Sequence, residues 1–231
     1  MDKAISAKKS RRGAIARAFC IYFAASAVIV TATVLKFALI EHIRDDFSFL
    51  SYMLFSAVIA IILLGHFLYV VCSRRKLLEN RREFGAIYAA MAFTVIANVY
   101  LETINSFLMP AMLAAFVISA LSNGRDAFCA NIFTNVLILF ILLTQNRLTG
   151  SENYYTIVSK FAQGLTAGTI VAYWLSGETR RFGFIIKGLI VAVLSVVAVF
   201  AVVAAFGEHT LTLADIAYLS GGTLGQVFLA V

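Results

Sequence analysis

Residues 49–72 read FLSYMLFSAVIAIILLGHFLYVVC, and the ten behind them, 73–82, read SRRKLLENRR. The first stretch contains no Asp, Glu, Lys or Arg. A helix rises about 1.5 Å per residue, so roughly 20 apolar residues cross the ~30 Å hydrocarbon layer of a bilayer. The second stretch places Arg74, Arg75, Lys76, Arg81 and Arg82 at one end of that crossing. Lys and Arg close to the ends of spans stay in the cytoplasm, so the two stretches together set a crossing and its direction.

The same alternation runs through the chain. Of its 231 residues 61% are hydrophobic and a single one is proline, a composition foreign to soluble domains. Apolar runs cover Phe19–Ile40, Phe49–Cys72, Phe84–Leu101, Phe107–Leu121, Ala127–Leu143, Tyr154–Leu175, Phe182–Phe206 and Ile216–Val231. Lys3, Lys8, Lys9, Arg11, Arg12, Arg17, the five cations above, Arg125, Arg180, Arg181 and Lys187 fall in or flank alternate gaps, 15 of the 19 basic residues. The other side keeps Lys36, Arg44, Arg147 and Lys160 with Glu41, Asp45, Asp46, Glu102, Glu152, Glu208 and Asp215. This predicts an all-α, polytopic helical membrane protein of about eight transmembrane helices, one plus seven, with both termini cytoplasmic.

The division that follows is a basic cytoplasmic segment at 1–18, an anchor helix at 19–40 and a seven-helix membrane domain at 49–231. The first apolar run is longer than a signal-peptide core and has no small-residue cleavage site behind it, which makes it an uncleaved anchor. The basic excess is dispersed over short gaps, so it reads as topology and attraction to anionic lipids of the inner leaflet, with the bilayer as partner and no nucleic acid. The gap at Thr144–Asn153 is expected to be polar and external. The last span carries no basic flank, and a charged terminus within the bilayer boundary is unfavourable, so the chain is expected to continue into the cytoplasm.

Catalytic motifs are missing. Cys20, Cys72 and Cys129 fall near inner ends of spans without a C-x-x-C pair, which predicts neither disulfide nor metal. There is no H-E-x-x-H, G-x-S-x-G or phosphate-binding glycine loop, so no enzyme, cofactor or metal is expected of this chain. His42 and His209 belong to outer ends of spans, whereas His66 lies inside one, where an ionisable group is costly and is either functional or a neutral ring bonded to a neighbouring helix. Asn98 and Glu102 share a helix face four residues apart, as do Asn131 and Asn135. His66, Asn98, Glu102, Asn131 and Asn135 are thus the candidate intramembrane polar site. Gly164 with Gly168 and Gly221 with Gly225 each form G-x-x-x-G, the spacing that lets helix backbones approach, within the chain or between subunits of a homo-oligomer.

Three stretches carry a resemblance: Leu108–Leu113 around Pro110 followed by Ser122–Ala127, Glu178–Arg181 leading into Phe182–Phe206, and Ser220–Gly225. From about Phe49 to Val231 the chain resembles the membrane domain of bacterial seven-transmembrane receptors with an intracellular HD phosphohydrolase domain. The resemblance implies one span, an extracellular domain, seven spans and a cytoplasmic HD domain that hydrolyses cyclic di-adenosine monophosphate with a pair of divalent metals. Here Glu41–Ser48 stands where the extracellular domain would be, and no position matches the metal ligands. The expectation is a receptor-like module of a bacterial cytoplasmic membrane that anchors and regulates an HD-type cyclic dinucleotide phosphodiesterase. The alternative, resting on His66, Asn98 and Glu102, is a small-molecule transporter subunit such as a vitamin-binding membrane component.

Overall fold

The computed structural model describes residues 2–39, 48–105, 108–149, 154–178, 181–206 and 212–230. Their elements are α1 (Asp2–Leu39), α2 (Phe49–Ser73), α3 (Arg75–Glu79), α4 (Arg81–Leu101), α5 (Leu113–Leu121), α6 (Gly124–Thr149), α7 (Tyr154–Trp174), α8 (Arg181–Phe206) and α9 (Leu213–Leu229), with no strand among the described residues. Five helical segments are long and apolar enough to cross a membrane: Gly13–Ala38, Phe49–Ser73, Arg81–Leu101, Gly124–Arg147 and Phe182–Ala201. The chain is an all-helical membrane protein to that extent. His42 and His209 lie outside the described residues.

Local chemistry sets the helix ends. Ser48 accepts from the Ser51 amide at the start of α2, and Asn80 accepts from the Glu83 amide at the start of α4. Asn123 Oδ1 takes the Asp126 amide at the start of α6. Thr212 and Asp215 exchange side-chain and backbone bonds in a reciprocal cap on α9. Behind α7 the chain turns at Gly177, whose φ of 85° suits a residue without Cβ.

Three elements differ from the sequence reading. The run Phe107–Leu121 yields a helix only from Leu113, with Met109–Met112 buried and non-helical ahead of it. Pro110 supplies no N–H and disfavours the α-region for Met109, which explains why the helix starts late. The Thr144–Asn153 gap is shortened, because Thr144–Thr149 continue α6 and bury Gln145 and Asn146. Finally, α3 forms inside what read as a basic loop, with Leu77 and Leu78 buried beneath its exposed cations.

Two apolar cores hold the helices. One joins α1, α2, α3, α4, α6 and, through Ile157 and Ala172, one side of α7, with side chains such as Ile29, Phe37, Ile59, Leu63, Met91 and Ile141. The other joins α7, α8 and α9 through Val171, Leu175, Phe184, Val191 and Val227. Short α5 is the wedge between them: Ala114 and Ile118 belong to the first core, Ala115 and Phe116 to the second. A helix apolar all round is what such a position requires.

Polar contacts mark the bundle's two ends. At the basic end Arg74 meets Asp126, Ser122 meets Glu83, and Ser176 meets the Gly124 amide. At the opposite end Lys36 meets Glu102 and Gln145, and Asn105 approaches Asp215. Helix α4 therefore runs from one end to the other and α5 returns beside it. Because Phe116 is fully buried and its ring sits edge-on to Phe184, 6.2 Å between centroids, Phe116→Ala should remove about 3–5 kcal/mol of stability. Thermal unfolding in detergent checks this, and an unshifted midpoint would refute the wedge role.

Candidate functional site

Non-helical backbone inside an apolar bundle must find hydrogen-bond partners there. The Met109–Met112 segment finds some in its own turns, Ala111 N–H to the Met109 carbonyl at 3.0 Å and Leu113 N–H to the Pro110 carbonyl at 3.2 Å, and others on two helices far away in sequence. Gln226 Oε1 of α9 accepts from the Met112 amide at 2.9 Å, and Asn135 Nδ2 of α6 approaches the Ala111 carbonyl at 3.4 Å. Gln226 Nε2 in turn donates to the Gly222 carbonyl at 3.2 Å. A Cβ on Gly222 would stand 3.0 Å from the Leu108 carbonyl oxygen, so α9 passes directly against the backbone of this segment. The opening of α5 is thus clamped by α6 on one side and α9 on the other.

Asn135 also belongs to a seam with α7. Its Nδ2 donates to Asn131 Oδ1 at 2.9 Å and to the Asn131 carbonyl at 3.0 Å, while Asn131 Nδ2 donates to the Gly164 carbonyl at 3.1 Å. Gly164 and Gly168 receive these amides where a side chain would sit: a Cβ at Gly164 would collide with Asn135, and one at Gly168 with Asn131. The asparagine pair of α6 and the glycine pair of α7, both visible in the sequence, therefore meet each other. Around Gly221 and Gly225 nothing lies within 4 Å of an added Cβ.

A buried triad closes the opposite end. Lys36 Nζ of α1 donates to Glu102 Oε2 at 2.9 Å and to Gln145 Oε1 at 2.9 Å, and Gln145 Nε2 donates to Glu102 Oε1 at 3.0 Å. The side chains of Lys36 and Glu102 are 0% and 5% exposed. Three helices are joined by one closed ring of charge-assisted bonds. One to two turns deeper, Asn98 donates to the Thr94 carbonyl at 2.7 Å. Asn98 Oδ1, Thr94 Oγ1 and, on α6, Thr134 Oγ1 are buried with no hydrogen-bond partner among the described residues.

His66 stands apart from this triad. Its Nδ1 lies 3.1 Å from the Tyr88 hydroxyl, and its ring packs edge-on against Tyr88 and Phe133. His66 and Glu102 thus do not share a site. Beyond it, Arg74 pairs with Asp126: a terminal nitrogen donates to Oδ2 at 2.8 Å, and Nε lies 2.7 Å from Oδ1 without hydrogen-bond geometry. The Asp126 hydrogen bond raises the Arg74 pKa from its already alkaline value. A raised pKa contributes stability at every pH below the ordinary arginine value, so the Arg74 guanidinium stays charged throughout the neutral range. No group of three or more metal-ligating side chains occurs among the described residues.

Compared with protein-family models, with curated proteins and with solved structures, the chain matches none. Sequence reasoning missed Lys36, Gln145 and Gln226. In the sequence Lys36 counts among the outer-side cations and Gln145 falls in the external Thr144–Asn153 gap, although Lys36 lies within an apolar run where an unpaired ammonium is untenable. That requirement pointed to a carboxylate partner.

Two outcomes test this geometry. Gly168→Ala should overpack the seam and cost about 1–3 kcal/mol, whereas Gly221→Ala should leave the unfolding midpoint within experimental error. Equal effects would refute the seam. Glu102→Gln should cost about 3–5 kcal/mol by stranding a buried ammonium, and combining Lys36→Met with Glu102→Met should recover at least half of that loss.

Proposed function

We propose that the chain is a receptor-like membrane module that crosses a bacterial cytoplasmic membrane eight times, with both termini cytoplasmic, and anchors and regulates an HD-type cyclic dinucleotide phosphodiesterase. The supporting observation is the clamp on Met109–Met112. Parts of the stretches that carry the family resemblance meet there: Leu108–Met112 lies against Gly222 and its neighbour Gln226, and a Cβ on Gly188 of α8 would stand 2.7 Å from Val227 and 3.2 Å from Phe116. A shift of the α5 opening is passed to α9 by direct contact, without an intermediate. The eightfold crossing is supported by the polar contacts at the two bundle ends and by the cation asymmetry. With nine residues α5 is short for a crossing, and the turns of Met109–Met112 ahead of it complete that pass through the bundle.

Deleting the gene from its host should change the cellular cyclic di-adenosine monophosphate pool at least twofold. The wild-type chain should restore it and Gln226→Leu, which cuts the clamp, should restore it by less than half. A pool indifferent to the deletion overturns the reading.

The Lys36–Glu102–Gln145 triad, with unpartnered oxygens at Thr94, Asn98 and Thr134, favours a second reading, a small-molecule transporter subunit, since intramembrane charges often line substrate paths. Because Glu102 already neutralises Lys36, the informative variant exchanges the pair, Lys36→Glu with Glu102→Lys. A transporter would lose saturable uptake into vesicles while its unfolding midpoint is retained. A module of the first kind would show no saturable uptake in either form.

A further inference from the structure

The basic end of the bundle carries more positive charge than its ion pairs neutralise. Arg74 is paired with Asp126, and Lys187 with Glu178 at 2.6 Å. Arg17, Arg75, Lys76, Arg81 and Arg82 are exposed and make no ion pair among the described residues. These five residues flank buried apolar positions of elements that pack together. Arg17 sits between buried Ala14 and Ala18 of α1, Arg75 and Lys76 ride on α3 above buried Leu77 and Leu78, and Arg81 and Arg82 open α4 ahead of buried Phe84. Helix α3 packs against α1, α2 and α4, which brings the cations of three elements to one corner.

The surface next to them is apolar. The Tyr22 and Phe67 rings, 5.5 Å apart, and the Phe19 and Phe67 rings, 6.0 Å apart, set α1 against the last turns of α2. On the outside of that junction Phe19, Phe23 and Leu68 are 48%, 65% and 50% exposed. They lie one to two turns from Arg17 on α1 and from Arg74 and Arg75 at the end of α2. A ligand that satisfied the whole corner needs an anionic head and a hydrocarbon tail attached to it. Free phosphate or a nucleotide would use the cations and leave the aromatic shelf bare.

We propose that the α1–α3–α4 corner is a docking surface for an anionic phospholipid, phosphatidylglycerol or cardiolipin. The phosphate is held among Arg17, Arg75, Lys76, Arg81 and Arg82, and an acyl chain lies along Phe19, Phe23 and Leu68. Each cation at an anionic surface strengthens attraction roughly fivefold, which makes the group selective rather than merely sticky. The inference stands independently of the phosphodiesterase reading, because it uses only charge, exposure and the position of the corner.

The test titrates delipidated full chain with phosphatidylglycerol, cardiolipin or phosphatidylcholine and counts retained lipids by native mass spectrometry. At least fivefold tighter retention of the anionic lipids is expected, fading as salt rises from 50 to 500 mM through charge screening. The Arg75→Gln, Lys76→Gln, Arg81→Gln, Arg82→Gln variant should bring the preference within twofold, while Arg75→Lys with Arg81→Lys and Arg82→Lys, which conserves charge, should keep it. Arg125→Gln, at the same end but on α6, should also keep it. Equal retention of all three lipids by the wild type would overturn the proposal, as would an undiminished preference in the fourfold glutamine variant. Complete displacement of bound lipid by 10 mM inorganic phosphate, or by a short oligonucleotide, would overturn it too.

Discussion

The structure turns on the need to satisfy backbone amides and carbonyls where no water competes. The helix break at Pro110 leaves Met109–Met112 as buried, non-helical backbone inside an apolar bundle, with the Met112 amide and Ala111 carbonyl outside its local turns. An unpartnered buried amide or carbonyl costs about 1–3 kcal/mol, which is a large share of a protein's net stability. Gln226 and Asn135 remove that cost at the Met112 amide and the Ala111 carbonyl. In doing so they dictate that α6 and α9 flank α5. Asn135 then needs room for its own amide, and Gly164 supplies it. One proline thus sets off a chain of requirements that passes from α5 to α6 to α7 and α9.

The ion pairs do a different job. Burying Lys36 and Glu102 costs solvation that their attraction only roughly returns, so the pair contributes less to stability than to arrangement. What it decides is that the far ends of α1, α4 and α6 stand together. Helix α1 is therefore built into the bundle, with Ile29 and Phe37 fully buried, rather than lying beside it as a detached anchor. The Arg74–Asp126 pair fixes the end of α2 to the start of α6 in the same manner at the basic end.

Much of this was legible in the sequence, and the rest was hidden for identifiable reasons. Apolar run length gave the long helices because hydrocarbon thickness is a single constraint acting on every span. It failed at Phe107–Leu121, where composition continues but proline geometry interrupts the helix. It failed again at Thr144–Thr149, where polar residues belong to a buried helix end. The i, i+4 spacing of Asn131 and Asn135 and the glycine spacing of Gly164 and Gly168 each marked a face. Spacing within one helix carries no information on which other helix that face meets, so their mutual fit required coordinates. The same limit separates His66 from Glu102: both are intramembrane ionisable residues, yet one bonds to Tyr88 and the other to Lys36.

These two kinds of contact distribute rigidity unevenly, and that bears on the proposed role in passing a signal. The α6–α7 seam interlocks amides with glycine backbone, so any relative sliding meets hard contact with Asn131 or Asn135. By contrast α9 is held to α5 by Gln226 and to α8 by contacts of Val227, while its Gly221 and Gly225 touch nothing nearby. A force applied at the opening of α5 therefore meets a stiff wall at α6 and α7 and a lighter attachment at α9. Packed interfaces change between discrete arrangements rather than deforming smoothly. The element with the lighter attachment here is α9, and its side-chain hydrogen bond to the α5 opening is that of Gln226.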